Sequence, residues 1–405
     1  LLRKLIRNEG ITMNCQKLLL LNLGTTSFKF QYYDYSTGET AIAGGMVEGL
    51  GGSGSCRIVW PEGETYSACS CQTCTDAFEL CGGILREKGV LKEIQDLDAV
   101  GYKAVHGGPL SGTRLVDDEL LQTMEDFVPL APAHNPVYLE LMRSLRRRYP
   151  SLTQAVRFET SFHATIPEYR SAYGVPYRWG EELGIRRYGF HGSSHEYIAG
   201  RMRELDPDAK RIISIHLGGS SSLCAIRDGK SIASSMGATP QTGLFQNNRV
   251  GDFDVCCIPR LVQEYGSVDA VMKILCTQSG LLGLSGVSND LREVLAARAE
   301  GNRHAELAVR AFADNIVGFV GMFAAYLGGL DAIAFTGGIG QNCRQLREIV
   351  CENLGMFRAR IMPDMDYPGY DCRISTRESG IAVWVIRTNE EQVLASHIRS
   401  LLLSL

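Results

Sequence analysis

The sequence predicts an α/β protein of two duplicated lobes with a ligand cleft between them, and three observations carry that expectation. Residues 17–33 read as strand, small-residue turn and strand, and the same organisation returns at 211–226. Glycine-rich turns follow apolar strands at Gly24 to Ser27, Gly218 to Ser222 and Gly337 to Gly340, where a bare backbone can come close to a ligand. At 405 residues the chain exceeds one ordinary core, so two domains are expected.

Lys17 to Leu23 is a buried strand by its apolar run, and Phe28 to Tyr33 is its hairpin partner. Further strands are expected within residues 40–67, interrupted by the glycine and serine loop Gly49 to Ser55. Cys74 to Lys88 has helical spacing, and Asp98 to His106 is an apolar strand that stops at Gly107-Gly108-Pro109. Helices are expected at Asp117 to Phe127 and Val137 to Arg148, then a strand at Ala155 to Phe158. Arg211 to Ile226 forms the second strand–turn–strand. A long helix from His304 to Leu327 leads to a strand, Ala332 to Phe335, and a loop, Thr336 to Asn342. The last strand, Ile381 to Ile386, runs into Asn389-Glu390-Glu391 and a terminal helix. No low-complexity linker separates the lobes.

Composition narrows the function. With 45% apolar and 21% charged residues and a net charge of −4, the chain lacks the basic footprint of a nucleic-acid binder. The apolar run Leu18 to Leu23 is too short to span a bilayer and leads into Gly24-Thr25-Thr26-Ser27 rather than a cleavage site, so a cytoplasmic protein without a membrane partner is expected. A short amphipathic membrane helix at 1–9 is the minor alternative. Residues before Met13 read as upstream sequence. Thirteen scattered cysteines read as reduced thiols. The cluster Cys69, Cys71, Cys74 and Cys81 holds one Cys-x-x-Cys without a second pair at zinc-ribbon spacing, so ordinary thiols are preferred to a zinc or redox site.

The absence of a Gly-x-x-x-x-Gly-Lys-Ser/Thr segment excludes a P-loop nucleotidase. Six of the eight histidines, His106, His134, His163, His191, His195 and His216, sit in glycine-, proline- or serine-flanked loops or strand ends, the placement expected around a ligand cleft. Phosphoryl transfer needs cations and donors around three oxygens and a metal on carboxylates, which histidine, Arg249, Glu159 and Glu390 would provide. His191 and His195 alone have helical zinc-ligand spacing, but they flank a Gly-Ser-Ser turn.

At these residues a resemblance becomes clear. Val-Gly-Tyr-Lys-Ala-Val-His106-Gly-Gly, Leu-Ala-Pro-Ala-His134-Asn-Pro, Arg-Arg-Tyr-Gly-Phe-His191-Gly-Ser-Ser-His195 and His216-Leu-Gly-Gly-Ser-Ser-Ser resemble motifs of the acetate kinase family. So do Ser-Met-Gly-Ala-Thr-Pro240, Ser-Gly-Val-Ser-Asn-Asp290-Leu-Arg292, Phe-Thr-Gly-Gly-Ile-Gly340-Gln-Asn and Thr-Asn-Glu390-Glu, in family order from about residue 18 to 396.

The resemblance implies two duplicated actin-like, ribonuclease H-like lobes, at 13–160 plus 388–405 and at 161–387, the second carrying most of the nucleotide site. It implies an acyl kinase working between ATP and a small carboxylate, with acyl phosphate and ADP as products, Mg²⁺ or Mn²⁺ as cofactor, and a homodimer. Asn22 and Glu390 match metal-associated positions, and Lys29 a basic residue near the phosphates. Glu159, His191 and Arg249 match the catalytic set. His216, Gly218, Gly219 and Ser220, then Asp290, Leu291 and Arg292, then Gly338, Ile339, Gly340, Gln341 and Asn342, match the segments that hold ATP. Lys103, Val105, Ala133, His134, Phe190, Pro240 and Asn247 fall at or beside the acyl pocket.

Departures from the family pattern cluster here. The family's catalytic aspartate is Glu159, whose extra methylene moves the carboxylate by roughly 1.5 Å. Its substrate-side arginine is Lys103, which cannot grip a carboxylate bidentately. Its Met-Gly-Thr-Arg reads Gln246-Asn247-Asn248-Arg249, and Ala133 replaces a bulkier apolar residue. Added space and added amides favour an acid larger or more polar than acetate. Glu159 and Lys103 also keep open a weakened relative that binds nucleotide or metabolite without turning it over. A sugar kinase fits the loop motifs less well. Gln341, in place of a common glutamate, leaves GTP or pyrophosphate as alternative donors.

Overall fold

The computed structural model describes residues 15–405; the expected amphipathic stretch at 1–9 lies outside them. The chain divides into two compact units. One runs to Ser161 and regains Glu390–Leu405, and the other is Phe162–Asn389.

The first unit holds one sheet of β1 (Lys17–Leu23), β2 (Ser27–Asp34), β3 (Ala41–Glu48), β4 (Gly54–Trp60), β5 (Gly63–Cys69), β6 (Ala99–Ala104), β7 (Thr113–Leu115) and β8 (Thr153–Phe158). Their order is β5-β4-β3-β2-β1-β6-β8-β7. The second unit holds β9 (Arg211–Leu217), β10 (Ser221–Arg227), β11 (Lys230–Ser234), β12 (Ala332–Thr336), β13 (Cys372–Arg373) and β14 (Ala382–Val385), in the order β11-β10-β9-β12-β14-β13. Both sheets share one plan: three antiparallel strands followed by two parallel ones, β3-β2-β1-β6-β8 in the first and β11-β10-β9-β12-β14 in the second. This is the duplicated actin-like, ribonuclease H-like arrangement.

The near-continuous apolar run of β1 follows from burial on both faces. Leu19, Leu21 and Leu23 face a core with Phe78, Tyr138 and Leu141. Leu18 and Leu20 face Leu394, Ala395 and Ile398 of the C-terminal helix Glu390–Leu403, which ties the chain's end to the first unit. The central strand of the second unit repeats the pattern. Ile213, Ile215 and Leu217 pack with Phe312, Ile316 and Val320 of the helix Arg303–Leu327. Ile212 packs with Ile198 and Met202 of the helix Gly192–Leu205. Arg303–Leu327 is long and apolar enough to cross a membrane by length and composition, and its packing on the second sheet accounts for that apolarity.

Two local expectations are corrected. The glycine-rich segment after β12 is not a loop but the short helix Gly337–Asn342. Gly337 opens it at φ +76°, and an added Cβ would lie 2.5 Å from the Leu217 carbonyl oxygen, so only glycine fits. His191 and His195 do not flank a turn: they lie at the start of the helix Gly192–Leu205. The short strands β7, β11 and β13 and most helices between residues 258 and 352 were not foreseen, because strands of two to five residues carry almost no periodic signal. All thirteen cysteines are free thiols.

Candidate active site

In the first unit, the strand ends converge on a small ionic cluster. Lys103, near the end of β6, hydrogen-bonds through Nζ to Glu390 Oε2 and lies 3.9 Å from Glu159 Oε1. Glu159 follows β8, its N–H held by the Ala104 carbonyl at 2.8 Å, and Glu390 opens the C-terminal helix, where a carboxylate suits the helix dipole. The three side chains are only 15%, 7% and 14% exposed for Lys103, Glu159 and Glu390. Burial pulls the Lys103 ammonium down, but Glu159 and Glu390 outweigh it and hold it above the ordinary lysine value. Tyr138 fixes the backbone here, its hydroxyl donating to the Lys103 carbonyl and accepting from Leu23 N–H at 3.0 Å. Lys103 thus pairs with the two carboxylates, beside the role in acid binding that the sequence leads one to expect.

Asn22 stands opposite Lys29 in the β1–β2 ladder, and both line a hollow of about 400 Å³ with Lys103, Arg57 and Glu391. Val105 is half-buried just past β6, Ala133 is exposed, and His134 begins the helix Asn135–Arg148. His106 is fully buried, its Nδ1 accepting from Gly108 N–H at 3.0 Å and its ring stacked on Phe127. It shapes its own turn.

In the second unit, four histidines form a packed array. His191 and His216 stack with ring centres 4.3 Å apart, and His195 lies 6.4 Å from each. Serine hydroxyls meet the rings: His191 Nδ1 contacts Ser222 at 2.9 Å, His195 contacts Ser214 and Ser222 at 2.8 Å, and His216 Nδ1 contacts Ser194 at 2.8 Å. His163 bonds Ser231 at 2.8 Å and the Phe190 carbonyl at 2.9 Å. Burial lowers the His163 pKa to about 4, and burial with the neighbouring His163 and His216 pushes His195 well below the usual histidine range. His191 sits in the left-handed region at φ 56°, a strained conformation for a non-glycine residue. Gly189 just before it, at φ +77°, packs where a Cβ would lie 2.7 Å from His163.

Arg249 has its own cradle. Its Nη1 donates to Ser220 Oγ at 3.1 Å, Gln246 Oε1 at 3.2 Å and the Pro240 carbonyl at 3.4 Å. Burial lowers its pKa. Gln246 is fully buried. Its Oε1 also accepts from Ser220 at 2.8 Å, and its Nε2 donates to the Pro240 carbonyl at 2.8 Å. The Gln246 amide is therefore spent inside the protein, which corrects its expected contribution to acid recognition.

The expected nucleotide segments largely meet. Gly218, Gly219, Asp290, Leu291, Arg292, Gly338, Ile339 and Asn342 line one hollow of about 660 Å³, a size suited to a nucleotide. Asn247 lines it too rather than standing apart from these segments, and its buried Oδ1 lacks a protein partner among the described residues. Asp290 caps the helix Leu291–Ala299 through Arg292 N–H, and the Arg292 guanidinium holds its carboxyl down at about 2. His216, Ser220, Gly340 and Gln341 do not line the hollow. Instead the Gly340 and Gln341 carbonyls accept from the buried Arg347 at 3.0 and 2.5 Å. Arg347, Arg344 and Asn289, beside or in the hollow, were missed. An arginine on the buried face of an amphipathic helix was the one available signal for Arg347.

Among the described residues no group of three or more His, Cys, Asp or Glu side chains is disposed to hold a metal. Mg²⁺ needs fewer: it keeps waters and phosphate oxygens and uses one or two carboxylates. Glu159 and Glu390, joined on one cation already, fit that donor set.

A model of the Acetokinase family matches residues 17–396. The acetate kinase of Clostridium novyi is 38% identical over 388 residues, 94% of this chain and 96% of that protein. The acetate kinase of Dictyoglomus thermophilum is 40% identical over 391 residues, 94% and 97% of the two chains. Among solved structures, Porphyromonas gingivalis acetate kinase superposes with a TM-score of 0.85 at 35% identity, covering 96% of this chain and 100% of that one. A propionate kinase from Francisella tularensis gives 0.87 at 32%, covering 94% and 98%.

Proposed function

The chain belongs to the acetokinase family, and from that premise we propose that it moves the γ-phosphoryl group between ATP and a short-chain carboxylate, giving acyl phosphate and ADP. That it is a phosphotransferase with a carboxyl acceptor follows from the family. The observation that best supports the nucleotide reading is the meeting of residues 218–219, 290–292, Gly338, Ile339 and Asn342 on one hollow.

A carboxylate is already ionised at neutral pH, so no general base is required and positioning with charge neutralisation dominates. Arg249 spends only Nη1 on internal bonds among the described residues, so Nη2 and Nε remain to grip phosphoryl oxygens as a fork. His191 would donate a further hydrogen bond. Glu159 and Glu390, with Asn22, would hold Mg²⁺ or Mn²⁺, which supplies charge neutralisation at the phosphates. Lys103 would balance the two carboxylates, and Lys29 would meet the phosphates.

The finer reading is an acid larger or more polar than acetate. Ala133 supports it, as does similarity to a propionate kinase; Gln246 no longer does. A homodimer in the cytoplasm completes the reading, supported by the exposed apolar side chains of Tyr169, Tyr177 and Leu183. A second reading, nucleotide binding without turnover, draws on the Lys103 ammonium already paired with both carboxylates.

ATP, Mg²⁺ and a panel of acetate, propionate, butyrate and hydroxy acids, with hydroxylamine to trap acyl phosphate, tests all of this. Hydroxamate with ADP release is the expected result. ATP binding without hydroxamate from any acid would overturn turnover in favour of binding. An acetate preference above about tenfold in kcat/KM overturns only the size reading.

A further inference from the structure

The buried serines around His191 carry information beyond shape. Ser214 and His216 alternate on one face of β9, opposite Cys224 and Ser222 of β10, and the helix Gly192–Leu205 brings His195 onto that face. This produces an unbroken chain of contacts: Ser214 Oγ to His195 Nδ1 at 2.8 Å, His195 Nε2 to Ser222 Oγ at 2.8 Å, and Ser222 Oγ to His191 Nδ1 at 2.9 Å. Ser214, Ser222 and His195 are fully buried.

Each neutral imidazole has one donor and one acceptor nitrogen, and each hydroxyl has one proton. A single-file chain can run in two directions, and a third arrangement, in which both imidazoles donate to Ser222, leaves the buried Ser222 proton without an acceptor among the described residues. If it runs from His191 toward Ser214, then Ser214 accepts from His195, and its own proton is left without an acceptor among the described residues. A buried unpaired donor costs about 1–3 kcal/mol. If it runs from Ser214 toward His191, every proton has a partner: Ser214 donates to His195 Nδ1, His195 Nε2–H donates to Ser222, and Ser222 donates to His191 Nδ1. Hydrogen-bond economy thus selects the second direction, and burial keeps His195 in the neutral form that it requires.

We infer that Ser214, His195 and Ser222 form a positioning relay that fixes the tautomer of His191, making Nδ1 the acceptor and Nε2 the N–H donor. None of the three is required to touch substrate; they act through His191, whose ring plane the stacked His216 also restrains. An Nε2–H is the form that can donate to a phosphoryl or carboxyl oxygen while the imidazole stays neutral. This inference rests on the role proposed for His191, but the state of the ring can be measured without turnover.

The test is long-range ¹H–¹⁵N correlation of ¹⁵N-histidine-labelled full-length protein near neutral pH, with kinetics of Ser222→Ala and Ser214→Ala. The wild type is expected to show His191 with a protonated Nε2 and an acceptor Nδ1. Ser222→Ala is expected to shift that ring toward a tautomer mixture and lower kcat by about tenfold, with KM changing less than about twofold. Ser214→Ala should shift the same signals more weakly. A wild-type His191 protonated on Nδ1, or a Ser222→Ala variant with unchanged His191 signals, overturns the relay. Protein that shows the expected tautomer but makes no acyl phosphate would leave the relay standing and bring down the proposed function instead.

Discussion

In the first unit the buried polarity is ionic: one ammonium, Lys103, stands with two carboxylates, Glu159 and Glu390, all at least 85% shielded from solvent. In the second unit four imidazoles are joined to hydroxyls and a carbonyl, and burial holds two of them, His163 and His195, uncharged. The two solutions fail differently. An ionic cluster depends on charge balance, so removing one member leaves the others dehydrated and uncompensated. An imidazole array depends on proton direction, so it tolerates lost charge but not added charge. The contrast suits division of labour, with net negative charge where a cation is to be held and preset donors where anionic oxygens are to be met.

The largest expected effect breaks the ionic side. Lys103→Met removes the common cation and leaves Glu159 and Glu390 facing each other, which should cost about 3 kcal/mol of stability at pH 7.5. Repulsion raises the pKa of one carboxylate in the variant, so the penalty should shrink as pH falls and that group takes up a proton. Urea unfolding of both proteins at pH 7.5 and pH 5 measures it. A penalty equal at both pH values would mean that Lys103 is not the counter-ion.

Acid should act on the neutral side with the opposite sign. His163 has a folded pKa of about 4 against an ordinary value of 6.5. Between those values the unfolded chain binds more protons than the folded one, so stability is full above pH 6.5 and is lost as pH falls toward 4. For His163 alone the loss at pH 5 is about 2 kcal/mol, and His195 adds to it in the same direction. His163→Gln should flatten the fall in stability between pH 7 and pH 5. An unchanged slope would show that His163 is not the neutral group.

This comparison also marks how far the sequence could be read. The apolar run Lys17–Leu23, its counterpart Arg211–Leu217 and their hairpin partners were visible, because strands buried on both faces leave a strong local signal, and the repeat between them revealed the duplication. The residue types at Glu159, His191, Arg249 and Glu390 were visible through motifs. Their partners were not. Lys103 and Glu390 are 287 residues apart, and nothing local announces such a pair. Ser214, Ser222 and Ser231 look like any strand serines until the sheet register sets them beside imidazoles. Gln246 looked like a new surface for substrate because a motif shows identity, not direction; packing turned its amide inward. The segment Gly337–Asn342 was mistaken for a loop because three glycines in five residues outweigh helix propensity in any sequence-only reading.

Gln246 gives the smallest effect and the finest test, since it combines both kinds of polarity: a charged guanidinium held by neutral groups. Replacing it with methionine keeps the volume but removes one acceptor from Arg249 and one partner each from Ser220 and the Pro240 carbonyl. All three retain a bond, because Arg249 still donates to Ser220 and to Pro240. The cost should therefore be about 1 kcal/mol, or roughly fivefold in kcat, with KM for the acid unchanged. Steady-state kinetics with acetate and propionate measures both quantities. If Gln246→Met instead left kcat intact and altered the preference between the acids, the amide would have to face the acid rather than brace the arginine.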